Sequence, residues 1–76
     1  MKELIEYIAR LLVDEPDKVL VEEVQRDNST VFQLTVAKDD LGKVIGKNGR
    51  TARSIRSLLG VLSAKEGKKA SLEILD

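Results

Sequence analysis

The chain has 76 residues with thirteen basic and thirteen acidic side chains, so its net charge is zero, and it contains neither histidine nor cysteine. This length allows one domain over residues 1–76, while the two missing residue types exclude disulfides and remove the commonest general base and metal ligands. We therefore expect no catalytic residue, metal or cofactor, and one tyrosine with one phenylalanine cannot build a surface of stacked aromatics.

Apolar residues at helical spacing predict a first helix over residues 2–13. They form a single stripe that consists of Leu4, Ile5, Ile8, Leu11 and Leu12. Pro16 ends this helix, because a residue that precedes proline is disfavoured in the helical conformation. No continuous apolar run is long enough for a signal or a membrane span, so we expect a cytoplasmic protein that does not associate with membranes.

Two strands follow, over residues 18–25 and 30–37. In the second strand Phe32, Leu34 and Val36 share one face, as expected for a half-buried strand. The short polar turn between the strands predicts an antiparallel hairpin.

The next segment is a glycine-bounded loop between two helices. A short helix is predicted over residues 41–45, with Asp39 or Asp40 as its cap, and a longer helix over residues 50–65. At about 100° per residue, the arginines of the longer helix fall on one side. The opposite arc, which we expect to be buried, contains Ile55, Leu58, Leu59 and Leu62.

A last strand over residues 70–75 completes the order α-β-β-α-α-β. The two-helix crossover allows this strand to lie parallel to the second strand, whereas the hairpin is antiparallel. The predicted fold class is therefore α+β, a three-stranded mixed sheet with helices packed on one face.

Charge is unevenly distributed along this neutral chain. Residues 1–37 hold eight acids and four bases. Residues 42–64 hold no acid and five bases, which are Lys43, Lys47, Arg50, Arg53 and Arg56. The basic block contains the glycine loop, so we expect this surface to attract a polyanion.

Three glycine-rich motifs compete for the loop Gly46-Lys47-Asn48-Gly49. A Walker A loop requires a hydroxyl residue after the lysine, where this chain has Asn48. A dinucleotide-binding fingerprint follows a strand and needs an additional glycine, whereas this loop follows a helix. The GxxG loop of KH domains joins two helices and clamps the backbone of single-stranded nucleic acid, and it agrees with the type II KH order of elements predicted above.

The whole chain resembles the KhpA (YlqC) family of small single-domain bacterial KH proteins. The resemblance is clearest in KELIEYIA at 2–9, DLGKVIGKNGRTA at 40–52, IR at 55–56 and KEGK at 65–68. It implies a single-stranded RNA-binding protein of low sequence specificity, of the RNA chaperone or post-transcriptional regulator type. It also implies a homodimer, a heteromer with a larger Jag-type KH protein (KhpB), and a link to cell elongation and envelope growth.

The predicted RNA-binding residues centre on the loop, because glycine allows close approach of a sugar-phosphate backbone. Lys47 and Arg50 supply charge, and Asn48 either contacts RNA or favours the turn. Lys43, Arg53 and Arg56 form an outer ring of positive charge. The bases are expected in a groove between the helices and the second strand, with an aliphatic lining that includes Leu34, Val36, Val44 and Ile45.

Two other functions stay open from the residues alone. The chain can be a protein-interaction or dimerisation module, for which Val61 and Leu62 offer a patch, although core packing is the expected use of Leu62. It can also bind single-stranded DNA, because a contact to the 2′-hydroxyl leaves no mark in the sequence.

Overall fold

The structure is a computed structural model that describes residues 1–75. Its helices are α1 (Lys2–Leu12), α2 (Leu41–Ile45) and α3 (Arg50–Lys65), and its strands are β1 (Leu20–Arg26), β2 (Ser29–Thr35) and β3 (Lys69–Leu75). Single 3₁₀ turns precede β1, α2 and α3, at Pro16–Lys18, Lys38–Asp40 and Lys47–Gly49. Within the described range, none of the helices combines the length and the apolar character needed to cross a membrane.

The three strands form one sheet in the order β1-β2-β3. β1 pairs antiparallel with β2, so that Leu20 lies opposite Thr35. β2 pairs parallel with β3, where Ser29 lies opposite Lys69. The predicted mixed sheet and order of elements are confirmed, and the bounds of α2 and α3 agree with the prediction.

Alternating strand residues and one face of each long helix build the core. Phe32 and Leu34 of β2 are buried, as the period of two predicted. The same core cluster includes Ile5, Ala9, Val21, Ile55, Leu59 and Leu72. Each large apolar side chain that is fully buried contributes about 1.5–3 kcal/mol to the free energy of unfolding. Because α1 and α3 supply several of these side chains, the stability of the small sheet depends on both helices.

The buried stripe of α3 differs from the prediction. Leu58 is 40% exposed and Leu62 is partly exposed. The buried residues of the helix are instead Ala52, Ile55, Leu59 and Ser63. Ala52 and Ser63 are both small, and the buried Ser63 hydroxyl donates to the Gly60 carbonyl oxygen at 3.2 Å. The apolar arc is therefore turned partly away from the sheet.

Candidate nucleic-acid interface

The GxxG loop (residues 46–49) is an ordered turn with an unusual backbone. Gly46, Asn48 and Gly49 have φ values of 78°, 57° and 73°. Asparagine is among the few residues with a side chain that tolerate this left-handed region. The Gly46 N–H donates to the Gly42 carbonyl oxygen at 2.9 Å, and the Gly49 N–H donates to the Gly46 carbonyl oxygen at 3.0 Å. The loop is thus hydrogen-bonded both to α2 and within itself.

The two glycines of the loop are needed for different reasons. A Cβ atom at Gly46 would lie 2.2 Å from Thr51 Oγ1 and 2.7 Å from the Thr51 backbone nitrogen. A Cβ atom at Gly49 would meet nothing within 4 Å among the described residues. Gly46 therefore closes the turn against α3, whereas Gly49 leaves bare backbone at the surface, where another molecule can approach.

Exposed basic side chains extend from the loop along α3. Lys47, Arg50, Arg53 and Arg56 are all exposed. Within residues 1–75, none of these four side chains forms an ion pair. Arg56 alone has a hydrogen-bond partner there, because its Nε donates to the Leu72 carbonyl oxygen at 3.4 Å. Three cationic groups next to the loop are thus available to a ligand.

The first turn of α3 adds further donors. Its N-cap residue is Gly49, and in the described chain no side chain caps this end of the helix. The Arg50 N–H donates to the Lys47 carbonyl oxygen of the preceding 3₁₀ turn. The next N–H groups of the first turn have no partner within the helix, and such groups favour an anion. Ammonium, guanidinium and backbone N–H groups therefore converge here, which is the donor set that binds phosphate oxygens. The described residues contain no group of three side chains placed to hold a metal ion.

A shallow groove lies beside the loop, between the helices and β3. It has a volume of about 390 Å³ and is lined by Leu41, Ile45, Gly49, Ala52, Arg56 and Ile74. A second depression of about 510 Å³ shares Leu41 and is lined also by Thr35, Val36, Lys38 and Leu75. The groove thus offers mainly aliphatic surface, with the Arg56 guanidinium as its one charged side chain.

The predicted lining of the groove is wrong at several positions. Val44 and Leu34 are 0% exposed, so their side chains cannot contact RNA in this structure. Val36 reaches only the second depression, and the strand beside the groove is β3 rather than β2. Ile45 is 40% exposed and does line the groove. The helical rotation between neighbouring residues, about 100°, turns Val44 into the core and Ile45 outward.

Lys43 is engaged within the chain rather than free for RNA. Its ammonium pairs with the Asp14 carboxylate and, at 3.4 Å, with the Asp40 carboxylate. The hydrogen bond to Asp14, helped by the one to Asp40, raises the pKa of Lys43 against the opposing effect of desolvation. The predicted outer ring of charge therefore lacks a free ammonium at this position.

Asp40 was expected as a possible cap of α2, but its carboxylate has another use. The side chain is buried and, within the described chain, makes no capping hydrogen bond. It accepts hydrogen bonds from the backbone N–H groups of Asp14 at 3.2 Å and Glu15 at 3.1 Å, and from Lys43 at 3.4 Å. Burial by itself raises the pKa of Asp40, yet these hydrogen bonds outweigh it and hold that pKa below its ordinary value.

Sequence reasoning missed this tertiary role, because the two backbone donors lie 26 and 25 residues away from Asp40 along the chain. An acid just before a helix is the usual sign of a local cap. No periodicity or spacing distinguishes such a cap from a carboxylate that binds a distant loop.

A mixed sheet in the order α-β-β-α-α-β, with a GxxG loop between its second and third helices, defines a type II KH domain. A sequence model of the family described as KhpA/KhpB, KH domain, matches residues 2–74. The chain belongs to this family.

Several bacterial proteins named RNA-binding protein KhpA are similar to the chain over nearly its full length. The protein from Chlamydia trachomatis serovar D is 49% identical over 76 residues, which cover 100% of this chain and 97% of that protein. The one from Clostridium perfringens is 48% identical over 75 residues, covering 99% and 100%. The one from Borreliella burgdorferi is 47% identical over 74 residues, covering 97% and 90%.

Among solved structures, the chain is similar to part of a variant of Era from Aquifex aeolicus bound to GDP·AlF4⁻. The TM-score is 0.63, with 22% sequence identity over 96% of this chain. The matched region spans 28% of the Era chain. At this identity the likeness shows a shared fold.

Alanine at the two loop glycines should separate their roles. Gly46→Ala forces a Cβ atom against Thr51, so we expect this variant to lose most of its stability or to remain unfolded. Gly49→Ala suffers only the left-handed backbone, which costs about 1–2 kcal/mol. Urea unfolding followed by circular dichroism measures both values. Equal losses in the two variants would contradict the packing of Gly46 against Thr51.

Part of the stability of the folded protein should depend on pH through the carboxylate of Asp40. Because its pKa is lowered by folding, the ionised group stabilises the protein above the unfolded pKa, and this contribution is lost as the pH falls through the folded pKa. We expect Asp40→Asn to lower Tm at neutral pH by roughly 5–10 °C. The difference in Tm between Asp40→Asn and the wild type should become smaller below about pH 4.

Thermal melts across this pH range test the expectation. Asp39→Asn is the matched control, because the neighbouring side chain is exposed, and its Tm should follow that of the wild type. A difference between Asp40→Asn and the wild type that is constant with pH would show that ionisation of Asp40 is not the cause.

Proposed function

We propose that this protein binds single-stranded RNA, with low sequence specificity, through the GxxG loop and the adjacent groove. The observation that carries the proposal is the bare backbone at Gly49, placed beside basic side chains that have no ion-pair partner in residues 1–75. Its relatives of 46–49% identity are named RNA-binding protein KhpA, which supports RNA as the nucleic acid.

The RNA backbone crosses the loop between Gly46 and Gly49. Lys47, Arg50 and the uncapped N–H groups of α3 bind its phosphates, since charge-assisted hydrogen bonds to phosphate oxygens are the strong ones. Arg53 lies one helical turn further along and extends the attraction. Asn48 maintains the left-handed turn and is exposed at the centre of the contact.

The bases enter the groove beside β3. Aliphatic side chains such as Leu41, Ile45 and Ile74 contact the faces of the bases, and they offer no donor or acceptor to the base edges. Sequence is read by groups that hydrogen-bond to those edges. Arg56 is the one charged side chain of the lining, so affinity comes mainly from the backbone and specificity is weak.

The cellular role that we propose is that of an RNA chaperone or post-transcriptional regulator in the cytoplasm, acting by binding and without catalysis. A chain that has no histidine and no cysteine lacks the commonest nucleophile–base pairs, which supports binding over chemistry. A link to cell elongation and envelope growth is proposed from the resemblance to the family alone.

The proposal includes a homodimer and a heteromer with a larger Jag-type KhpB protein. Support comes from the α3 patch, which consists of Leu58, Val61 and Leu62. Leu58 is 40% and Val61 57% exposed, and Val61 and Leu62 lie three and four residues after Leu58, so each is a neighbour of Leu58 on the helix surface. Such a patch suits the corresponding helix of a second KH domain, whether from another copy or from KhpB.

A double aspartate variant in the loop tests the RNA contact. Lys47→Asp with Asn48→Asp reverses the charge but keeps both glycines, and aspartate tolerates the left-handed backbone. We expect a folded protein whose affinity for an unstructured RNA pool falls by at least tenfold, because phosphates now face carboxylates. Lys68→Asp with Asn28→Asp is the matched control, since the same charge is added away from the loop, and it should lose much less affinity.

Salt dependence gives the same test a second measurement. Neutralisation of about three to five phosphates predicts a slope of log affinity against log salt near −2 to −4 for a single strand. Comparison of the affinities for RNA and for single-stranded DNA of equal sequence shows whether the protein contacts the 2′-hydroxyl.

A titration with RNA that is followed through the backbone amide shifts locates the contact. Shifts centred on residues 44–53 would identify the loop as the contact. A folded protein without such shifts would indicate a protein-interaction module instead.

Aspartate at Val61 tests the proposed interface between copies. Val61→Asp adds a charge to the centre of the α3 patch, so we expect the dimer to dissociate in sedimentation experiments, with Kd raised by at least tenfold. Leu11→Asp on α1 is the control, because Leu11 is 68% exposed and lies outside the patch. If Leu11→Asp dissociates the dimer and Val61→Asp does not, the interface lies outside the α3 patch.

A further inference from the structure

A buried carboxylate lies near, but outside, the proposed RNA contact. Asp40 is 2% exposed, and its carboxylate accepts three hydrogen bonds, from the backbone N–H groups of Asp14 and Glu15 and from the Lys43 ammonium. Asp14 also pairs with Lys43 through its own side chain. We name these three side chains, Asp14, Asp40 and Lys43, the α2 anchor. RNA binding as proposed above uses neither carboxylate.

Asp40 of the α2 anchor and the GxxG loop lie at opposite ends of one short helix. α2 has five residues, and Asp40 immediately precedes it while Gly46 immediately follows it. The Gly46 N–H donates to Gly42 in the same helix, and the Val44 side chain fixes the helix in the core. Five helical residues span only about 7.5 Å. The start of α2, where Asp40 lies, is therefore close to the loop, and we expect its position to influence that of the loop.

The electrostatics of the α2 anchor do not suit a phosphate. One ammonium faces two carboxylates, so the group carries one net negative charge. The Asp14 side chain is 78% exposed and the Lys43 side chain 43% exposed. A phosphate that approached Lys43 would meet Asp14 as well, and it would have to replace an existing ion pair. Lys47, four residues on, has no ion-pair partner within residues 1–75.

We propose that Asp40 and Lys43 are positioning residues of the RNA-binding loop, and that Lys43 does not contact phosphate. Asp40 ties the start of α2 to the connection after α1, and Lys43 balances the charge of the two carboxylates. The RNA backbone stays on the side of Lys47, Arg50 and Arg53. This inference rests on the proposed RNA binding, and it revises the role that the basic block suggested for Lys43.

Two substitutions that remove the same charge distinguish positioning from simple electrostatics. Asp40→Asn and Asp14→Asn each remove one negative charge close to the loop, so electrostatics alone makes both variants bind RNA more tightly. If Asp40 positions the loop, Asp40→Asn should instead bind RNA more weakly. An amide cannot accept all three hydrogen bonds that the Asp40 carboxylate accepts. Asp14→Asn removes the Asp14–Lys43 ion pair but keeps the backbone N–H that donates to Asp40, so the tie between Asp40 and the connection after α1 survives.

The first experiment measures RNA affinity of the wild type and both variants at one salt concentration, well below each Tm. We expect Asp40→Asn to bind about threefold to tenfold more weakly, and Asp14→Asn to bind equally or more tightly. If the Asp40→Asn variant binds RNA as tightly as the wild type, or more tightly, the inference is overturned. A wild type without RNA affinity would instead reject the proposed function, so the two failures are distinguishable.

A second pair keeps the inference testable if Asp40→Asn does not fold. Lys43→Met and Lys47→Met remove the same charge four residues apart. Loss of a phosphate ligand changes the salt slope by about 0.7 for a single strand. We expect that change for Lys47→Met only. Lys43→Met should lower affinity by a similar factor at every salt concentration, and Lys43→Arg should restore it. A salt slope reduced equally by both methionine variants, or unchanged affinity in Lys43→Met, would overturn the inference.

Discussion

The contact between Gly46 and Thr51 is the constraint on which the candidate site depends. The chain has four residues in which to pass from α2 to α3, and the Thr51 hydroxyl occupies the space that any Cβ atom at position 46 would need. This close approach sets the start of α3. It also places the first turn and the arginines of α3 directly beside the loop. The binding surface is therefore a consequence of backbone packing before any charge is considered.

Tertiary context assigns different uses to chemically identical side chains in this segment. Lys43 and Lys47 lie four residues apart in the same basic block, yet one is paired with two carboxylates and the other is exposed without such a partner in the described chain. Val44 and Ile45 are adjacent aliphatic residues, of which one is buried in the core and the other lines the groove. A count of bases or of aliphatic residues does not reveal these differences.

The elements were predictable because their signals are local. The helical spacing of α1, the period of two in β2 and the glycines that bound the loop all follow from neighbouring residues, and the order of elements then limits the topology. The buried face of α3 was predicted in a displaced position, because Ala52 and Ser63 are too small or too polar to mark an apolar stripe although both are buried. The role of Asp40 and the position of the groove beside β3 depend on contacts between residues far apart in sequence, and neither follows from a local pattern.

The parallel pairing of β2 with β3 has a consequence for synthesis on the ribosome. Paired residues such as Gln33 and Glu73 are 40 positions apart, and β3 supplies both Ile74 of the groove and the Leu72 carbonyl oxygen that holds Arg56. Contacts of such long sequence separation form late, after the cost of closing a long loop has been met. A nascent chain that has exposed the GxxG loop but not yet β3 lacks one wall of its groove. Until β3 has left the ribosome and paired with β2, such a chain cannot hold nucleotides in the complete site.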